Sequence, residues 1–494
     1  MNDGVKALLK GSVVLAVSNI TLRAMNFFLL PLYTKHLTTA QLGVSDAVTN
    51  AGSLLYTVLV LGLDAAYAAF YYDEKSQRHR DRIFSTIWFI LATGGVLSLV
   101  LIIASPVISH LILGRGDYAP VIAIALVGVT LQLCALPFAL DLRIRNQMML
   151  FASVTVMAAA LAIGFNVLFV VVLQWGYYSL VISSALTALT QVVAYRGLMH
   201  KGPRWRDLDF HLIPRLFRFS LPLVPLTVST WVMQGLTLLM LVRIHSASVA
   251  GTYGIATRFS SILTTITSAV QVSYTAFAFQ LVGKPEAQKT FVRVVGAYFL
   301  VLLGLCFIVI MVGPEAIHAM TTSSYWVAYQ FLPGVLLGQA AASLAALFGY
   351  GINFVKKSYF STISTVLGAA CCVGLNVVLI GPFGGFGASV AFLSGYVVIA
   401  VLQAFFSHRL YPVSYPYTRM IVVFVILAAL SFGSLHVPTG WRILMGVVGM
   451  ALLLGVFHSS TSEMTRLVLS PLRSSRPSSS DGQSDTGEEE TNQA

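Results

Sequence analysis

Fourteen apolar stretches follow one another along this chain, at roughly 11–34, 41–72, 84–112, 118–141, 150–174, 177–199, 217–243, 249–282, 290–313, 326–354, 358–381, 385–407, 417–435 and 441–460. Each approaches or exceeds the ~20 residues that a helix needs to cross a bilayer core. Most of the short connections between them hold Gly, Pro or clustered charge. Lipid offers no water to a free N–H or C=O, so spans of this length close their hydrogen bonds internally, as helices. Only 10% of the 494 residues are charged, against about 25% in soluble domains. The expectation is an all-α polytopic membrane protein of about 14 transmembrane helices, and a soluble globular fold is excluded.

The basic residues orient this array. With the N-terminus in the cytoplasm, 24 of the 30 Lys and Arg fall in inner segments and four (Lys35, Arg115, Arg243, Arg442) in outer loops. That alternation puts both termini inside. The net charge of +12 is then a topology signal and an attraction for anionic head groups; it calls for no nucleic acid. Cys134, Cys306, Cys371 and Cys372 all lie in apolar runs, as small packing residues without disulfide or metal spacing. The first run lacks a small-residue cleavage site and reads as a retained span. Residues 463–494, rich in Ser, Gly and Pro, read as a disordered cytoplasmic tail.

A weak repeat divides the chain. "QLGVSDAVTNAGSLL" opens the second stretch and "VAGTYGIATRFSSIL" the eighth, pairing Gly43 with Gly251 at an offset of 208. "FNVLFVVVLQWGYYS" and "LNVVLIGPFGGFGAS" pair Asn166 with Asn376 (offset 210) and Gly176 with Gly385 (offset 209). A repeat of this length holds six spans, an even number, so both halves sit the same way up. Parallel six-helix lobes with a pseudo-two-fold axis along the membrane normal form a transporter architecture with the substrate path between them. We expect lobes at 1–208 and 209–412, two additional helices within 413–462, and the tail at 463–494.

Two basic residues, Arg23 and Arg258, fall inside spans, about 18 Å and 14 Å deep at 1.5 Å per residue. A charge there costs about 2.5–3.5 kcal/mol on insertion scales and by default marks function. Two guanidinium forks converging on one cavity suit a phosphate or pyrophosphate; the opposing possibility is permanent pairing, with Asp46 as the partner for Arg23. Asp46 and Asp64 are the candidates for coupling to a proton or sodium ion. Asn26, Asn50, Trp231, Gln234 and Gln271 are candidate substrate-binding residues on a polar cavity wall, or else interhelical glue. Pro222 and Pro225 ("RFSLPLVPLTVSTW") bend the seventh helix and are hinge candidates.

"FFLLPLYTKHLTTAQLGVSDAV" and "LLYTVLVLGLDAAYAAFYYDEKSQRHRDRIFST" resemble the start of bacterial polysaccharide-biosynthesis flippases, the polysaccharide transporter branch of the multidrug/oligosaccharidyl-lipid/polysaccharide superfamily. "LFRFSLPLVPLTVSTWV" with "ASVAGTYGIATRFSSIL" resembles the start of that family's second lobe. The resemblance runs through roughly residues 10–410. It implies transfer of an undecaprenyl-pyrophosphate-linked oligosaccharide across the bacterial plasma membrane by alternating access, in contact with membrane lipids. Polysaccharide polymerase and chain-length proteins are the implied partners. The family's cationic cavity matches Arg23 and Arg258. The chain departs from the family at Ala65, Ala66, Ala68 and Ala69, where many members carry an Arg. It departs again at the uncharged "QGLTLLM", where many carry an Asp-Arg pair.

The rival readings are a lipid II flippase, a cation-coupled multidrug antiporter of the same superfamily, and a non-transporting scaffold of polysaccharide assembly. An enzyme is not expected: the outer loops are short and nearly free of carboxylates, and no nucleophile elbow, zinc motif or phosphate loop occurs.

Overall fold

The computed structural model describes residues 27–73, 76–199, 202–282, 284 and 287–456, apart from the side chains of 272, 273, 276 and 456. All regular structure among these residues is helical. Of the first expected span only the end is described, as α1 (Leu30–His36). There follow α2 (Thr39–Phe70), α3 (Gln77–Val100), α4 (Ala119–Ile144), α5 (Met148–Val172), α6 (Tyr178–Leu198) and α7 (Leu212–Ile244). The second lobe continues with α8 (Ala247–Leu281), α9 (Ala287–Met320) and α10 (Ser323–Phe354). Residues 359–410 form α11 and α12, joined at Gly384; α13 (Tyr417–His436) and α14 (Thr439–Val456) complete the chain. Ten helices among the described residues are long and apolar enough to cross a membrane, the fused α11–α12 counting as one.

The third expected span, 84–112, is not one rod. After α3 the chain makes four residues of tight turns, bonded from each N–H to the carbonyl three residues back, and helix resumes at Ser105–Leu113. Pro106 fits the first turn of the resumed helix, where the N–H it lacks would have no helical partner in any case. Between α11 and α12 the chain kinks at Gly384, whose φ of +53° is not helical. Gly176, between α5 and α6, has φ of +59°. These two glycines hold the same place in their lobes, so the repeat register here is 208, one residue from the pairing with Gly385 read off the sequence.

Eleven of the 35 residues of α8 are Ser or Thr. An apolar solvent tolerates them because their hydroxyls donate back to carbonyls one turn earlier, as Ser261 does to Arg258 (2.6 Å) and Thr257 to Gly254 (2.8 Å). In the first lobe α4 packs on α2, α3 and α6; in the second α10 packs on α8, α9 and α11–α12. Helix α10 is the most enclosed, with 83% of its apolar window buried. Helices α13 and α14 pack on each other and on α9, outside the repeat.

We call the face at which α1 ends and α2 begins the upper face. There α2 and α8 cross with their backbones in contact at Gly43 and Gly251: a Cβ on Gly43 would lie 1.9 Å from the Ala247 carbonyl oxygen. Thr39 and Ser248 share a hydrogen bond of 2.6 Å across this crossing. Tyr325 donates to the Leu37 carbonyl at 2.9 Å, adding a second tie between the lobes. At the lower end of the first lobe Asp141, 1% exposed, accepts from Tyr67 Oη at 2.7 Å and Arg145 Nε at 2.8 Å. The chain between the lobes is fastened to α3, with Arg204 N–H donating to Ser85 Oγ and Asp209 N–H to Thr86 Oγ1, both at 3.2 Å.

Candidate substrate cavity

Beneath the glycine crossing lies a cavity of about 890 Å³, walled by the first lobe and by α7 and α8 of the second. Two caps fix the register of the helices that crown it. Thr38 and Gln41 form a reciprocal capping box at the start of α2, and Ser246 Oγ accepts from Val249 N–H at the start of α8. With both starts pinned and the glycines in contact, Asp46 on α2 comes to face Arg258 on α8.

The pair is bidentate. Arg258 Nη1 donates to Asp46 Oδ2 at 2.9 Å and Nη2 to Oδ1 at 2.8 Å, with side chains 18% and 16% exposed. Gly254, one turn before Arg258, makes room for it: a Cβ there would lie 2.6 Å from Asp46 Oδ2. The Tyr33 ring lies under the guanidinium at 5.9 Å. A planar fork and a carboxylate in this geometry form one of the stronger polar contacts available to side chains, and it ties one lobe to the other at the head of the cavity.

The remaining polar wall is uncharged and comes mostly from the first lobe: Gln132 on α4, Asn166 on α5, and Ser183, Ser184, Thr187 and Gln191 on α6, with Thr257 and Ser261 added by α8. The second lobe does not mirror it. Asn376, the repeat partner of Asn166, is 1% exposed and donates to Thr237 Oγ1 at 3.0 Å within the packing of α7 and α11.

Of the residues singled out in the sequence, Arg258, Asp46 and Asn50 come together on this cavity. Asn50 Nδ2 donates to the Asp46 carbonyl at 2.8 Å. Arg23 and Asn26 lie outside the described residues. Asp46, matched with Arg23 in the sequence, is engaged by Arg258. Trp231 is off the cavity wall, where Nε1 donates to Ser53 Oγ at 2.8 Å and ties α7 to α2. Gln234 sits beside Tyr396 in the second lobe. Gln271 lies low on α8, its carbonyl accepting from Thr275 Oγ1 at 2.7 Å. Asp64 is exposed, below a break in α2 where Leu61 and Gly62 both take positive φ. Pro222 and Pro225 lie where α7 tightens through Leu221–Leu223 before resuming at Val224.

Gln132, Gln191 and Gly254 were not singled out, and Asn166 was read only as a marker of the repeat. The carboxamides were visible as isolated amides in apolar runs, but that pattern also describes ordinary contacts between membrane helices. Gly254 has no sequence signal beyond lying four residues before an arginine. Among the described residues no group of His, Cys, Asp and Glu is placed to hold a metal ion.

A family model described as polysaccharide biosynthesis protein matches residues 8–279. A search of curated proteins by sequence finds no match. The fold is similar to that of the lipid II flippase MurJ in an inward closed conformation, with a TM-score of 0.70 and 12% identity over 93% of this chain and 100% of that one. It is also similar to a multidrug resistance MATE family transporter of the MOP superfamily in its inward-facing conformation, at 0.67 and 12% over 80% and 97%. An outward-facing conformation of a MATE family transporter gives 0.53 and 14% over 83% and 98%.

Proposed function

The chain belongs to the polysaccharide biosynthesis protein family, and from that premise we propose that this multi-pass membrane transporter is a flippase for an undecaprenyl-pyrophosphate-linked oligosaccharide. The observation that carries the proposal is the Arg258–Asp46 fork heading a cavity whose other polar groups are uncharged. The two oxygens of Asp46 occupy the guanidinium as two phosphate oxygens would. A pyrophosphate entering the cavity competes with Asp46 for the same donors. Once displaced, Asp46 is left without its partner and is the first candidate for coupling to a proton or a sodium ion. Because the pair joins α2 to α8, the same exchange removes a tie between the lobes.

In this reading Arg23 supplies the second phosphate contact. The glycan occupies the cavity and the prenyl tail stays in the bilayer. Asp64 is the second coupling candidate, and the bend at Pro222 and Pro225 is the hinge. The upper face is the outer one of the bacterial plasma membrane, so the cavity opens to the cytoplasm. The greater likeness to the inward-facing than to the outward-facing MATE family transporter, 0.67 against 0.53, supports that direction.

The test is transfer in vesicles. Wild-type protein is reconstituted with a fluorescent undecaprenyl-pyrophosphate oligosaccharide, and its arrival in the opposite leaflet is followed. Arg258→Ala and Arg23→Ala are expected to slow transfer more than about tenfold, the worth of one lost charge-assisted hydrogen bond. Variants that fold and transfer at the wild-type rate make the charges structural. A wild type that moves no lipid returns the question to the rival readings, a cation-coupled multidrug antiporter or a scaffold.

A further inference from the structure

Three carboxamides on the cavity wall have no part in the exchange of Asp46 for phosphate. Gln132, Asn166 and Gln191 come from three successive helices of the first lobe and line one space. None has a hydrogen-bond partner among the described residues, and Asn166 is only 9% exposed. An amide held at a cavity wall without a partner is an unmade pair of donors and acceptors.

The hydroxyls around them are committed in one direction. Ser183 donates to the Ser179 carbonyl (2.8 Å), Ser184 to Val181 (2.8 Å), Thr187 to Ser183 (2.7 Å) and Thr155 to Phe151 (2.8 Å). With the proton spent on its own helix, each oxygen faces the cavity only as an acceptor. The wall therefore accepts from a ring of hydroxyls and both donates and accepts at three amides. An anionic group finds only neutral donors on this wall, the amides and the hydroxyls of Tyr56 and Tyr195, and no cation. An ammonium finds no carboxylate, since Asp46 is held by Arg258. A neutral sugar, each hydroxyl of which donates and accepts, matches both kinds of group.

We propose that Gln132, Asn166 and Gln191 form a subsite that reads an uncharged sugar residue, the one joined to the pyrophosphate. This rests on the lipid-pyrophosphate reading and assigns the two ends of the head group to different lobes: the charge to Arg258 in the second, the sugar to α4–α6 in the first.

The experiment is a binding comparison on the full-length protein in lipid nanodiscs. The probes are one short-chain prenyl pyrophosphate, bare or carrying a single N-acetylhexosamine, neutral hexose or hexuronate. The neutral sugars are expected to bind roughly tenfold tighter than the bare ligand, and the hexuronate no tighter than it. Asn166→Leu and Gln191→Leu are each expected to remove most of the gain. The bare ligand reports in every variant that the fold and the cationic end are intact. If the bare ligand binds and no neutral sugar improves on it, or if the gain survives in the variants, the subsite is wrong and the pyrophosphate reading stands. If wild type binds none of the four, both fall.

Discussion

Gly43 and Gly251, equivalent positions of the two repeats, occupy each other's space. A Cβ on Gly43 would stand 1.9 Å from the Ala247 carbonyl oxygen, and one on Gly251 would stand 2.0 Å from that of Thr39. Two helices related by the pseudo-two-fold axis thus touch on that axis, and only the absence of side chains lets them do so. The contact closes the upper face, and the ion pair of Asp46 and Arg258 lies directly beneath it.

Gly43→Ala is expected to force this crossing apart and favour the conformation open at the upper face. Overpacking by one methyl costs about 1–3 kcal/mol, which shifts a two-state balance roughly five- to 150-fold. With the four native cysteines replaced, a cysteine at Thr49, exposed on the cavity wall, reports the change. An impermeant maleimide applied at the upper face is expected to label it slowly with Gly43 and quickly with Ala at that position. Equal labelling would mean that the crossing is not the barrier.

How much of this was legible beforehand depends on the distance over which a signal acts. The helical spans are local, and apolar length alone reports them. The break after α3 is also local: Pro106 was there to be read, but the hydrophobic run continues through it and hides it. The offset of 208 marked Gly43 and Gly251 as equivalent, yet gave no hint that they touch. Asp46 was matched with the arginine nearer in sequence, whereas the structure joins it to Arg258, 212 residues away. Such pairings arise from how lobes meet, which no periodicity within one helix encodes. The free carboxamides escaped notice because, residue by residue, an amide that glues helices and one that faces a cavity look the same.

Gly254→Ala tests whether the geometry of the fork matters as well as its charges. The added methyl would lie 2.6 Å from Asp46 Oδ2, so the carboxylate must leave the guanidinium or the helices must part. The expected result is a transporter with Arg258 released and transport slowed. Combined with Asp46→Asn, the glycine change is expected to add little, because the two act through one contact. Full additivity of the two effects on transfer rate would show that Gly254 acts elsewhere.

The buried knot at the lower end of the first lobe is expected to serve stability. Asp141→Ala leaves the Arg145 guanidinium and the Tyr67 hydroxyl without their shared acceptor. Removing one partner of a buried pair costs about 3–5 kcal/mol; Tyr67→Phe removes one hydrogen bond and costs about 1 kcal/mol. Thermal unfolding in detergent is expected to rank the proteins wild type, Tyr67→Phe, Asp141→Ala from most to least stable. Affinity for a bare prenyl pyrophosphate is expected to be the same in all three. An Asp141→Ala protein as stable as wild type would remove the knot from the fold's supports.

Asp46→Asn separates competition from positioning. If Asp46 holds Arg258 in place of the substrate phosphate, neutralising it frees two charge-assisted donors. Affinity for a bare prenyl pyrophosphate is then expected to rise about tenfold, while transfer across vesicles falls, since the release step that returns the carboxylate to the arginine is lost. Arg258→Ala is expected to lose both affinity and transfer. The opposite directions of the two binding changes are the decisive feature, because mere destabilisation of the cavity would weaken binding in both. Weaker binding in Asp46→Asn would falsify the exchange and leave the aspartate as a strut that aims the guanidinium.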